Sequence, residues 1–88
     1  METRVAVISI IVEEPNATVQ INEILHDYSD YIIGRMGIPY RKRKISIISI
    51  AMEAPQDAIS AMSGKLGRLK GVTTKAAYSN YIFTEAEA

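Results

Sequence analysis

The stretch Arg4 to Val12, RVAVISIIV, decides the fold. It is rich in β-branched residues, whose stiff side chains suit extended backbone. Both of its alternating sets are apolar: Val5, Val7 and Ile11 on one, Ala6, Ile8, Ile10 and Val12 on the other. A strand of that kind is expected to be covered on both faces. Glu13-Glu14-Pro15-Asn16 breaks the run, and Asn16 is placed to cap a helix reaching about Tyr28. Ala17, Ile21, Ile24, Leu25 and Tyr28 recur at helical spacing and form one apolar stripe, while His26 falls on the opposite side near Val19 and Asn22.

Four further elements follow. Tyr31 to Ile38 (YIIGRMGI) reads as a half-polar edge strand, with Ile32, Met36 and Ile38 on one alternating set and Arg35 and Gly37 on the other. Pro39 to Arg43 is expected to be a charged turn. Lys44 to Met52 (KISIISIAM) is apolar on both faces again, so it is a second central strand. Pro55 and Asp57 suit the first turn of a second helix, because proline lacks an N–H that is unpaired there anyway and an acid meets the positive end of the dipole. Ile59, Met62, Leu66 and Leu69 give its stripe, and Gly71 is placed as the glycine that ends it. Val72 to Phe83 (VTTKAAYSNYIF) carries Thr, Lys and Ser on one set and closes the chain as a second edge strand.

The order is βαββαβ, in the α+β class. Strands one and three are the apolar ones and strands two and four the half-polar ones, which matches a ferredoxin-like sandwich with strands one and three in the middle of a four-stranded antiparallel sheet. Right-handed crossovers place both helices on one face. The other face is then apolar with nothing from this chain to cover it, and such a patch marks an interface. A homo-oligomer, a dimer or tetramer, is expected.

Composition narrows the chemistry. The chain has 88 residues, no cysteine, one histidine, and ten acidic against ten basic side chains. A domain this short buries only about 60–65% of its unfolded surface, so its core is thin and an interface would add to it. Without cysteine there are no disulfides, thiolate nucleophiles or cysteine-based metal sites. No apolar run approaches the ~18 residues of a membrane span, and the first residues lack the order of a signal peptide. No membrane association and a cytoplasmic location are expected. The whole of 1–88 reads as one domain, with an ordered core over about 4–83 and a small, acidic tail over 84–88. The neutral charge is unevenly spread: Arg4 is the only base in residues 1–30 against Glu2, Glu13, Glu14, Glu23, Asp27 and Asp30, whereas Arg35, Arg41, Lys42, Arg43 and Lys44 follow without an acid among residues 35–44.

His26 alone supplies too little ligand material for a metal site, so no metal and no cofactor are expected. It also faces away from the core, which leaves a Ser–His–acid arrangement unsupported, and no acid pair is placed for proton transfer. The chain is therefore expected not to be an enzyme. Arg35 and Tyr40 are candidates for holding an anion. Ser63-Gly64-Lys65-Leu66-Gly67-Arg68 is no phosphate loop, because Ile59 stands where the first glycine belongs and Leu66 where Ser or Thr belongs. Glycines within a helix nevertheless cost about 1 kcal/mol each relative to alanine. Ser60, Ser63, Gly64 and Gly67 share one flank of the helix, where small residues permit close approach of the first helix, another chain or a ligand. Gly64, Lys65, Gly67 and Arg68 accordingly join Arg35 and Tyr40 as candidate ligand contacts. A second class of function rests on Tyr40, Arg41, Lys42, Arg43 and Lys44, a basic hairpin with an aromatic that suits phosphate backbone and base stacking. Four bases on a neutral protein are a small footprint, so nucleic acid is the alternative partner.

Two segments, Tyr31 to Arg41 (YIIGRMGIPYR) and Ser60 to Val72 (SAMSGKLGRLKGV), resemble the family named as putative regulators of the iron-only hydrogenase system, a similarity running from about Arg4 to Tyr78. Members of that family look like free-standing copies of the ACT-like domain at the C-terminus of nickel-responsive repressors. The resemblance implies a ferredoxin-like domain that oligomerises. It implies no nickel site, since that domain uses several histidines and a cysteine, and the chain carries no DNA-reading segment ahead of its first strand. What transfers is ligand-linked oligomerisation, with no particular ligand. Together with the uncovered sheet face and the glycine-bearing helix end, it leads to the expectation of a regulatory module that holds a small, anionic molecule and acts by contacting another protein.

Overall fold

The computed structural model describes residues 2–84. Four strands, β1 (Arg4–Val12), β2 (Ile32–Tyr40), β3 (Ile45–Ala54) and β4 (Val72–Tyr78), and two helices, α1 (Thr18–Asp27) and α2 (Gln56–Gly67), follow the order βαββαβ. The sheet is antiparallel throughout with strand order β2-β3-β1-β4, so the two strands with two apolar faces are the central ones.

Alternation along the central strands builds the core. Ala6, Ile8, Ile10 and Val12 of β1 and Ile48, Ile50, Met52 and Ala54 of β3 are buried, together with Ile21 and Leu25 of α1 and Ile59, Met62 and Leu66 of α2. Each fully buried Ile, Leu or Met contributes about 1.5–3 kcal/mol of apolar transfer, and both helices must lie on this face to provide it. The complementary set of β1 and β3 looks the other way: Val7, Ile11 and Ile47 are all more than 40% exposed.

The second strand departs from simple alternation. Ile32 pairs with Met52 but Gly34 pairs with Ala51, so Ile33 is an extra residue bulged out of the ladder. Ile32 therefore faces the core with Met52, whereas Met36 and Ile38, opposite Ser49 and Ile47, lie on the open face. The expectation that Ile32, Met36 and Ile38 share a face is corrected by this one residue. Arg35, opposite the buried Ile50, is turned to the helix side.

Local boundaries differ for identifiable reasons. Asn16 does not cap α1; Pro15–Ala17 form a short 3-10 turn, and α1 begins behind it at Thr18 without a side-chain cap. Pro55 is the residue before α2 rather than its first, and Asp57 Oδ1 accepts the backbone N–H of Ala58 at 2.9 Å. The β2–β3 turn is Arg41–Lys44, beginning two residues and ending one residue later than expected, and it closes with Lys44 in the left-handed region at φ 58°. α2 ends at Gly67 with Arg68 as its cap, so Gly71 is not the helix-ending glycine. It stands at the entrance to β4 with φ 75°, its carbonyl accepting the N–H of Glu13 at 2.7 Å. β4 stops at Tyr78, and Phe83 returns only as an isolated bridge to Thr3. Of the expected tail, 85–88 lie outside the described residues.

Candidate functional site

Three surfaces hold the candidate side chains. The first is the open sheet face. Val7, Ile11, Ile47, Met36, Ile38 and Tyr40 stand on it, each between 41% and 56% exposed, around the directly paired Ser9 and Ser49 of the central strands. Lys75 on β4, opposite Ser9, adds a cation to this face. Strands about 4.8 Å apart over some 20 Å of length make a face on the order of 400 Å². The serine pair and Lys75 divide its apolar part into clusters on either side.

The second is a shallow cavity of about 310 Å³ between α1 and β2, lined by Asn22, Leu25, His26, Ser29, Ile32 and Arg35. Leu25 and Ile32 belong to or pack on the core and give it an apolar floor. The Arg35 guanidinium, brought here by the bulge, donates to Asn22 Oδ1 at 3.2 Å. No carboxylate lines this cavity.

The third lies at the base of the β2–β3 hairpin, a cavity of about 250 Å³ whose lining includes Val12, Pro15, Thr18, Tyr40, Arg41 and Lys44. Arg41, Lys42, Arg43 and Lys44 are all exposed in the turn itself. Two hydrogen bonds hold the turn, Arg43 N–H to Tyr40 O at 3.2 Å and Lys44 N–H to Arg41 O at 3.3 Å.

The expected contacts do not converge on one spot. Arg35 and Tyr40 occupy opposite faces of β2 and line different cavities. At the end of α2, Gly67 lies against β4: a Cβ there would stand 3.4 Å from Thr74 Oγ1, at the near limit of ordinary van der Waals contact. Gly64 has only the Arg68 side chain near it, with Nη1 3.6 Å from a Cβ placed there. Lys65 Nζ sits 5.1 Å from the centre of the Tyr28 ring, a cation–π contact that ties α2 to the end of α1. Among the described residues no group of three His, Cys, Asp or Glu side chains is positioned to hold a metal ion.

Asn22 and Ser29 have no counterpart among the sequence candidates, and His26 was weighed there only for metal and catalysis. Their shared spacing of four and then three residues along one helix flank was available in the sequence. What was not available is the bulge at Ile33, which delivers Arg35 to that flank.

The βαββαβ order, the sheet order and the helices gathered on one face define an ACT-like domain of ferredoxin-like fold. The ACT domain of a GTP pyrophosphokinase from Chlorobium tepidum superposes with TM-score 0.65 at 17% identity, covering 90% of this chain and 89% of that one. The C-terminal domain of the MgtC protein from Mycobacterium tuberculosis does so with TM-score 0.66 at 10% identity, covering 89% of each. Within that class the chain belongs to the TM1266-like family, described as "Iron-only hydrogenase system regulator, putative", whose profile matches residues 4–76. The structure of the uncharacterized protein TM1266 from Thermotoga maritima is similar at 36% identity and TM-score 0.83, covering 86% of this chain and 96% of that one. No curated protein matches the chain. Among the described residues no helix is long and apolar enough to cross a membrane.

Proposed function

We propose that residues 1–88 are a single regulatory domain without catalytic activity, that it assembles with copies of itself through the open sheet face, and that it couples this assembly to a small anionic effector. Its output is contact with another protein of an iron-only hydrogenase system in the cytoplasm. The observation that carries this is the open face. A thin core beside an open sheet face on the order of 400 Å², on which six large apolar side chains are half exposed, is a poor arrangement for a lone monomer and a good one for a self-associating domain. Family membership supports the regulatory role, and the ACT-like fold supports effector-linked regulation by analogy of fold. The test is light scattering over a wide concentration range, followed by native mass spectrometry. A dimer or tetramer is expected, and a strict monomer at the highest concentration overturns the proposal.

A second function, nucleic-acid binding, has one observation in its favour: Tyr40 and the four bases Arg41 to Lys44 are all exposed at one tip. Binding there would weaken steeply with salt. Electrophoretic mobility shifts left unchanged when Arg41, Lys42, Arg43 and Lys44 are all replaced by alanine remove it.

A further inference from the structure

We infer that the cavity between α1 and β2 is a binding site for a small organic carboxylate, held by the fork of Arg35. The inference rests on the effector-sensing part of the proposed function and gives it a place and a chemistry. Asn22, His26 and Ser29 lie at positions i, i+4 and i+7 of α1 and its C-terminal turn, so their side chains share one flank. The Ile33 bulge turns Arg35 towards that flank, where all four line the same cavity of about 310 Å³. Arg35 spends one donor on the neutral Asn22 amide oxygen at 3.2 Å and has no carboxylate partner among the described residues. A guanidinium offers five N–H groups in a rigid plane that matches the two oxygens of a carboxylate, and one bond to a neutral amide leaves most of that capacity open. The Ser29 hydroxyl and the His26 imidazole add donors beside it.

The floor sets the rest of the ligand. Leu25 is buried and Ile32 packs against the core, so the bottom of the cavity is aliphatic. A ligand with a carboxylate head and a short apolar body satisfies both surfaces, whereas a fully hydrated inorganic anion gains nothing from Leu25 and Ile32. The volume is at the lower limit for small-molecule sites, which restricts the body to a few carbons. The site is separate from the open face, because Arg35 and the apolar residues Met36 and Ile38 point to opposite sides of the sheet.

The experiment is a titration of the isotopically labelled full chain with butyrate, and in parallel with inorganic phosphate, followed by backbone amide resonances. Saturable shifts confined to residues 22–35 are expected with butyrate, at lower concentration than with phosphate. Arg35→Ala should weaken butyrate binding about tenfold or more, the loss expected for a charge-assisted bidentate contact. Asn22→Asp provides an independent variant: it sets a carboxylate against Arg35 from within the chain, and should abolish binding while leaving the protein folded. Absence of saturable shifts overturns the inference, as does phosphate binding as tightly as butyrate, or butyrate binding that survives Arg35→Ala. Native mass spectrometry with and without butyrate separates the two proposals. Binding at this cavity with an unchanged subunit number upholds the site and removes effector-linked assembly from the proposed function.

Discussion

Gly71 combines two constraints that no other residue type meets. Its φ of 75° lies in the left-handed region, and a Cβ added there would stand 2.5 Å from Glu14 Cβ and 3.0 Å from Glu14 N. The close approach lets the turn before β4 accept the N–H of Glu13, which locks the loop leaving β1 against the entrance to β4. Gly71→Ala is expected to destabilise by at least about 1–3 kcal/mol, the cost of a side chain in that backbone region, before the contact with Glu14 is relieved. Urea denaturation should show a lowered midpoint with unchanged slope. The sequence marked this glycine as a stop signal after a helix but not its purpose. Local spacing is blind to a contact between residues as far apart as Glu14 and Gly71. The same blindness hid the placing of Asn22 and Ser29 beside Arg35, although each has its helical spacing in plain view.

At the scale of elements, the central and edge strands were legible because burial acts through alternation. RVAVISIIV and KISIISIAM can only be central, and their apolar sets pair across the ladder as Ile8 with Ile50 and Ile10 with Ile48. The bulge in β2 was not legible. Ile32, Ile33, Met36 and Ile38 are all apolar, so the pattern carries no mark of where the phase changes. α2 poses the converse problem, a helix retaining glycines its propensity disfavours. At Gly67 a Cβ would just touch Thr74 Oγ1, and nothing in the structure explains Gly64. Gly64→Ala is therefore expected to raise the stability of the isolated domain by about 1 kcal/mol through helix propensity, since the flexible end of Arg68 can move aside. Thermal and urea unfolding check this. A gain in stability coupled to loss of self-association or effector response would assign Gly64 to an intermolecular contact.

The whole molecule presents a covered face and an uncovered one, with charge concentrated at a hairpin tip. Two uncovered faces stacked together remove on the order of 800 Å², below the roughly 1,200 Å² at which stable interfaces begin. A pair held by the flat sheet alone is thus expected to dissociate on dilution, and a persistent assembly requires contacts from the rims, among which Tyr40 and the hairpin are the nearest. Ile47→Glu sets a charge in the middle of the face without touching the core, because Ile47 is 41% exposed. It should yield a folded monomer with unaltered far-ultraviolet circular dichroism, measured by sedimentation velocity. An unchanged assembly would move the interface to a sheet edge. The extra residue Ile33 lets Ile32 and Arg35, three positions apart, both face the helices while Met36 and Ile38 stay on the open face. A three-base deletion removing it would make the pairs Ile32 with Met52 and Gly34 with Ala51 direct neighbours in the ladder, and no later side chain of β2 would change sides. Relatives of this chain that lack the codon are therefore expected to keep both surfaces, whereas a deletion further along β2, inside the regular ladder, would exchange them.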